Sequence, residues 1–239
     1  MRIDVFTLVP HAFAWLTEQR PLAAVLGTEF ELRLLNYRDT TPLKSGQVDD
    51  EPYGGGAGMV LRVDVVAAAL DAAYDGPPDH RVVALTPQGR QLDQQLVEEL
   101  AGEEHLTVLS ARFEGFDERV VEHLATGAVS IGPYVLSGGE LPAMVLLDAI
   151  ARRLPGVLGN AESPVDESFE GGVLEYPQYT RPAVFRGQAV PEALLSGNHE
   201  RIRRWRRRQS LLRTRDRRPD LFAKLQLSDE DRALLDEEP

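Results

Sequence analysis

Two textures alternate along the first 150 or so residues of the chain. Short runs dominated by apolar and β-branched residues predict strands: RIDVFTLV (Arg2–Val9), FELRLLNYR (Phe30–Arg38), RVVALT (Arg81–Thr86), HLTVLSA (His105–Ala111) and AVSIG (Ala128–Gly132). Between them, apolar residues recur at spacings of three and four, which predicts helices over RVDVVAAALDAAY (Arg62–Tyr74), DQQLVEELA (Asp93–Ala101) and ERVVEHLA (Glu118–Ala125), and a long helix from Glu140. This order implies an α/β fold, a mostly parallel sheet with helices on both faces. In SIGPYVLSGGELPAMVLLDAIARR (Ser130–Arg153) the apolar run is expected to continue as strand through Tyr134, Val135 and Leu136, then turn at Ser137–Gly139 into the helix that carries Pro142.

The pattern breaks after GVLGN. ESPVDESFEGG (Glu162–Gly172) is polar and acidic and reads as a linker, and LEYPQYTRP (Leu174–Pro182) as an extended, proline-bearing piece. Ser196-Gly197-Asn198 then supplies caps for an arginine-rich helix, with Ile202, Trp205 and Leu212 expected as its buried stripe, and SDEDRALLDEE closes the chain as an acidic helix. The expected organisation is residues 1–160 as the α/β domain, 161–172 as the linker and 173–239 as a small helical C-terminal domain.

Composition narrows the chemistry. At 239 residues and 43% hydrophobic, the chain can bury a sizeable core. It has no cysteine, which excludes disulfides and thiolate metal sites, and its five histidines show no ligand spacing. No apolar run approaches the roughly 20 residues needed to span a bilayer, and the N-terminus carries no targeting pattern, so no membrane partner is expected. Net charge is -12, yet Arg201–Arg218 holds ten arginines against one acid, Asp216. That window carries +9 and leaves -21 for the remainder. A concentrated arginine segment on an acidic body points to local polyanion contact, and arginine suits bidentate phosphate binding.

Three strand ends, LTPQGR (Leu85–Arg90), SARFEGFDER (Ser110–Arg119) and SIGPYVLSGGE, finish in small or turn-forming residues. Ligands of parallel sheets sit at such carboxyl ends, so three loops are expected to converge on one molecule. The common nucleotide signatures fail. No GxGxxG opens the first helix, GGGAGM (Gly54–Met59) is followed by Val60 rather than Lys-Ser/Thr, and Ser137 lacks a nucleophile-elbow context. Backbone-mediated binding of this kind suits an adenosine with an amino-acid tail better than a triphosphate.

Eight ordered blocks, DDEPYGGGAGM, LTPQGR, RFEGFDERV, SIGPYVLSGGELPAM, RRLPGVLGN, EYPQYTRP, LLSGNHE.I..WR and RRPDL, span nearly the whole chain. Together they resemble the bacterial TrmD-type tRNA (guanine-N(1)-)-methyltransferases of the knotted SPOUT class. The resemblance implies a trefoil knot at the end of the α/β domain, an obligate homodimer holding tRNA across both subunits, and a cytoplasmic location. It implies S-adenosyl-L-methionine as methyl donor, an activity associated with magnesium, and a guanine immediately 3′ of the anticodon as target.

Carried onto this chain, the donor pocket falls on Leu85, Thr86 and Pro87; on Ala111, Phe113, Glu114 and Gly115; and on Ser130, Ile131, Gly132, Tyr134, Val135, Leu136, Gly138, Gly139 and Pro142. Ala111 stands where the family commonly has Gly, Pro133 where it has Asp, and Phe113 where Tyr is frequent. The family's arginine maps to Arg152. Its linker aspartate maps to Glu167, with Asp166 one residue earlier, and either carboxylate can serve as the base. Expected RNA contacts are Tyr53, Gly54, Gly55, Gly56 and Met59; Ser196, Gly197 and His199; and Arg203, Arg206 and Arg207. Two other readings are compatible with the fold: a knotted methyltransferase acting on a ribose hydroxyl or another guanine, and an RNA-binding protein without turnover.

Overall fold

Alternation of apolar residues on parallel strands builds the N-terminal part. A computed structural model describes residues 1–20, 22–155, 157 and 167–237. The chain divides into two units, Met1–Gly159 and Asn160–Pro239. In the first, β1 (Arg2–Thr7) is followed by the short helix α1 (Ala14–Glu18), β2 (Glu31–Asn36), a two-residue pair β3 (Asp49–Asp50) and β4 (Val60–Leu61), and helix α2 (Val63–Tyr74). Then come β5 (Arg81–Gln91), α3 (Gln94–Ala101), β6 (His105–Leu109), β7 (Gly127–Ser130) and α4 (Glu140–Ala151). Five strands pair in the order β2-β1-β6-β5-β7, all parallel.

Strands β1, β2, β5 and β6 each feed two cores, because successive side chains point to opposite faces. Ile3, Val5, Val83, Leu106 and Val108 pack with Leu96 and Leu100 of α3 and Leu146, Leu147 and Ile150 of α4. Phe6, Val82 and Leu109 face α2 through Val65, Val66, Ala69 and Leu70. Each such side chain removed from water contributes about 1.5–3 kcal/mol before entropy is counted. One charged group interrupts the pattern. Asp4 is fully buried, and it accepts hydrogen bonds from Arg33 (2.8 and 2.9 Å), Arg2, Tyr74 (2.8 Å) and His105 (2.9 Å). Burial alone would raise its pKa, but the hydrogen bonds from Arg33, Arg2, His105 and Tyr74 outweigh it and leave the carboxyl at about 2.

Two expected elements differ. ERVVEHLA makes not an α-helix but one wide turn, Val120–Leu124, closed by Ala125 N–H on the Val120 carbonyl at 2.8 Å. The reason is space: Thr126 is already tied to Val82, its amide donating to the Val82 carbonyl at 2.8 Å. The predicted strand through Tyr134-Val135-Leu136 also fails, since β7 stops at Ser130. There the last neighbour bond, Leu92 N–H to the Ser130 carbonyl at 2.7 Å, is already made, and Leu92 leads into α3, so nothing remains to pair with. The three residues lie in an exposed loop instead.

The second unit holds the hairpin β8 (Val184–Phe185) and β9 (Gln188–Ala189), α5 (Glu192–Leu195), the long arginine helix α6 (His199–Arg217), α7 (Pro219–Phe222) and α8 (Asp229–Asp236). Asn198 caps α6 by accepting from Arg201 N–H at 3.1 Å, and Ser228 with Asp231 forms a reciprocal capping box on α8. The buried residues of α6 are Ser210, Leu211 and Thr214; Ile202, Trp205 and Leu212 are half-buried. α6 turns this unexpected face inward because Thr214 Oγ1 accepts the Leu174 amide at 2.8 Å and α8 covers the adjoining side.

Candidate active site at the strand ends

Because β6, β5 and β7 are neighbours in a parallel sheet, their carboxyl ends emerge side by side. A cavity of about 270 Å³ opens there, near the lower end of the roughly 300–1,000 Å³ common for small-molecule sites. All sixteen residues assigned to the donor pocket on sequence line it, from Leu85, Thr86 and Pro87 through Ala111 and Phe113–Gly115 to Ser130–Gly132, Tyr134–Leu136, Gly138, Gly139 and Pro142. Gln88, Arg112, Phe116, Glu118, Val121 and Val129 line it as well. Reading the sequence missed these six. Arg112 and Glu118 look like solvated charges beside a turn, and only their position between assigned neighbours signals them.

The first wall is a loop inserted within β5. Leu85 and Arg90 both pair with Val129, so residues 86–89 bulge out between them. Gly89 is what permits this: a Cβ there would meet Val129 N at 2.4 Å and the Ala128 carbonyl carbon at 2.5 Å. The second wall, after β6, is clamped by β4. Leu61 N–H donates to the Gly115 carbonyl at 3.0 Å and Asp117 N–H to the Leu61 carbonyl at 2.9 Å. Asp117 also accepts from Arg119, which lowers its pKa and fixes the turn. The third wall is pinned locally, with Gly132 N–H on Ser130 Oγ at 3.3 Å and Tyr134 N–H on the Gly132 carbonyl at 2.9 Å.

Walls two and three are fastened together. Gly139 N–H donates to the Ala111 carbonyl at 2.7 Å, and a Cβ on Gly139 would come within 2.7 Å of Ser110 Oγ. This is the reason for glycine where the loop passes into α4, while Pro142 in the first turn of α4 needs no intrahelical N–H partner. Behind the two walls, the buried Glu140 carboxylate accepts from Thr7 Oγ1 at 3.1 Å and Arg112 Nη1 at 3.3 Å. Burial pushes the neighbouring Tyr37 hydroxyl well above its usual range, so it stays neutral.

A glycine-rich loop leans on the second wall. Glu114 N–H donates to the Met59 carbonyl at 2.9 Å, and the Glu114 side chain fills the space a Cβ on Gly58 would need. Gly54, Gly55 and Gly56 of this loop have positive φ, and Tyr53 at its tip is fully exposed. Arg152 is half-buried and closes the end of α4, its N–H on the Asp148 carbonyl at 3.1 Å.

In the second unit, Glu167 is half-buried and Ser168 Oγ accepts the Glu175 amide at 3.0 Å. Asp166 lies outside the described residues. Ser196, Gly197 and His199 form the exposed turn that opens α6. Arg203 bonds Glu200 and Glu230 at 2.8 Å, Arg207 bonds Asp231 at 2.7 and 2.9 Å, and Arg206 stacks 4.6 Å from the Tyr176 ring centroid.

A family model described as tRNA (Guanine-1)-methyltransferase TrmD matches residues 1–224. Among curated relatives named tRNA (guanine-N(1)-)-methyltransferase, the one from Dehalococcoides mccartyi (strain CBDB1) is 49% identical over 239 residues, 99% of this chain and 96% of its own. The relative from Geobacillus kaustophilus (strain HTA426) is 49% identical and that from Brevibacillus brevis 50%, each over 238 residues, 99% of this chain and 98% of theirs.

Proposed function

The chain belongs to the tRNA (guanine-1)-methyltransferase family, and on that premise we propose that it methylates N1 of the guanine immediately 3′ of the anticodon of tRNA, with S-adenosylmethionine as donor. One observation carries the reading for the site: three consecutive strand-end loops converge on a single cavity, lined by apolar side chains together with Gly115, Gly132, Gly138 and Gly139. Such walls fit a nucleoside with an amino-acid tail, and the contacts of Gly139 with Ser110 and Ala111 support a chain threaded closely through itself there. Tyr134, Val135, Leu136 and Phe113 are exposed apolar side chains at the mouth, suited to cover an adenine ring.

When bound, the donor supplies an electrophilic methyl carbon on a positively charged sulfur. The protein's part is to hold the target base in line with that carbon, to take the N1 proton and to stabilise the charge that develops on O6. Glu167 or Asp166 takes the proton; Arg152 faces the oxygen. The base must leave its stack to be reached; the exposed loop from Tyr53 to Met59 in the first unit and the exposed turn of Ser196, Gly197 and His199 in the second are each proposed as RNA contacts.

Methylation with labelled donor and transcripts differing only beside the anticodon tests the function. Transfer is expected to the guanine transcript alone, and equal transfer to an adenine transcript overturns it. Glu167→Gln and Asp166→Asn, compared in single-turnover reactions, assign the base: the true base loses about 100-fold or more, the other residue much less.

A homodimer is part of the same reading. Leu141 and Val145, one turn apart on α4, and Val135 are large apolar side chains exposed in the single chain (56%, 48% and 83%), as an uncovered self-association face would be. Sedimentation of V145D checks it: a monomer is expected, and an unchanged dimer would move the interface elsewhere. No helix among the described residues is long and apolar enough to cross a membrane, and no group of three or more acidic or histidine side chains there could hold a metal ion.

A further inference from the structure

The arginines of α6 and its C-cap are not equivalent. Arg203 and Arg207 are held by Glu230 and Asp231 of α8, and Arg204 by Glu237 just beyond it. Arg208 donates to the carbonyls of Leu234 and Glu237, which closes the C-terminal end of α8. Arg201 faces Glu192 at 3.5 Å, while Arg215 and Arg218 bond their neighbours Asp216 and Asp220. Arg213 and Arg217 have no ion-pair or hydrogen-bond partner among the described residues. Arg206 lies over Tyr176, and its Nε is shielded from solvent with no acceptor.

These three share a side of the helix. At about 100° per residue, Arg206, Arg213 and Arg217 fall within about 40° of one another and span roughly 16 Å of axis. The four arginines engaged by α8 or its end lie around the next sector of the same cylinder. The energetics separate the two sets. Moving a guanidinium from a made carboxylate pair to a phosphate exchanges one charge-assisted bond for another and leaves a carboxylate behind, facing RNA. An unpaired guanidinium meeting a phosphate releases counterions and gains a new bond.

We infer that Arg206, Arg213 and Arg217 form the stripe of α6 that contacts tRNA phosphates, and that α8 withdraws Arg203, Arg204, Arg207 and Arg208 from that role. The inference rests on the tRNA reading above and changes which arginines serve it. Arg206 is clamped in advance by Tyr176, so ordering it on RNA costs little entropy. Arg213 and Arg217, one turn apart, present two forks toward successive phosphates.

Two double variants of the full chain, R213A/R217A and R203A/R207A, separate the sets. Filter binding of a guanine-bearing tRNA transcript is measured from about 50 to 200 mM salt, with thermal unfolding and S-adenosylmethionine binding on the same samples. R213A/R217A is expected to weaken tRNA binding by about tenfold or more. It should also flatten the log–log salt slope by roughly 1.4–1.8, with melting temperature and donor affinity unchanged. R203A/R207A is expected to lower the melting temperature while keeping the salt slope of the unaltered protein. A flattened slope in R203A/R207A with none in R213A/R217A overturns the inference. Should R203A/R207A fail to fold, an unchanged tRNA affinity and slope in R213A/R217A is sufficient to reject it. Unaltered protein that binds the donor but no tRNA defeats the tRNA reading instead.

Discussion

At the rim of the sheet, the loops around the cavity are held by close backbone approach: Gly89 seated on Ala128–Val129, Gly139 on Ser110–Ala111, and Gly115 and Asp117 on Leu61. Along α6 the geometry is made by long side chains, and the charge of Arg203, Arg204 and Arg207 is balanced within the same unit by Glu200, Glu230, Asp231 and Glu237. The first arrangement tolerates almost no added atom. The second tolerates many substitutions singly, because an exposed ion pair contributes only about 0–1 kcal/mol. A cleft shaped by close backbone approach is rigid and specific; a helix of arginines is a reservoir from which a few members act.

The largest expected effect breaks the first region. Gly89→Ala forces a methyl into the β7 backbone and should cost about 3 kcal/mol or more in urea unfolding, with loss of donor binding by calorimetry. A mild loss would mean the walls yield more than their contacts imply.

Next is Asp4→Asn, which leaves Arg33 and Arg2 facing a neutral amide inside the sheet unit. It should cost about 2 kcal/mol at neutral pH, read by the same denaturation. The linked pH effect has a definite sign. Asp4 is depressed to about 2 in the folded chain against 3.8. Its stabilisation is present above pH 3.8 and is lost as pH falls toward 2. Asp231, also depressed to about 2 chiefly by the Arg207 hydrogen bond against burial, gives the C-terminal unit the same acid limit.

The units part company at milder acidity. Burial first, and the nearby His105 second, lower the pKa of His80, whose ring stacks on His105 at 3.6 Å. Neutral His80 stabilises the fold above pH 6.5, and that contribution falls as pH drops below it. Hydrogen exchange between pH 7 and 5 should therefore show loosening around β6 and the end of α2 while α6 and α8 keep their protection. The smallest effect is that of salt: raising it to about 1 M should lower the stability of the α6–α8 pairing by a few tenths of a kcal/mol, seen as faster exchange in α8, and leave the sheet unit unchanged.

Much of this was legible from periodicity and motif. The five strands of the parallel sheet, α2, α3, α4, α6 and α8 follow apolar spacing, and the three strand ends were legible as neighbours because a parallel α/β order brings such ends to one rim. What escaped has physical causes. Tyr134-Val135-Leu136 is apolar and β-prone, but strand formation needs a neighbour, and none remains beyond Leu92. Val120–Leu124 has helical spacing, yet Thr126 is bound to Val82 before a second turn can form. The inward face of α6 was misread because Ser210 and Thr214 are polar, and their burial depends on Thr214 bonding the Ser210 carbonyl and the Leu174 amide. Pairing of arginines with α8 is equally invisible in a one-dimensional charge run.

The loop around Gly89 sets an order of events during synthesis on the ribosome. Its seat is the backbone of Ala128 and Val129, about forty residues downstream, and Ala111 waits for Gly139 in the same way. A nascent chain cut off between Val121 and Ala128 thus holds two of the three walls with nothing to close them. Closure of the cavity therefore waits for β7 and the start of α4, long-range contacts that are intrinsically slow to form.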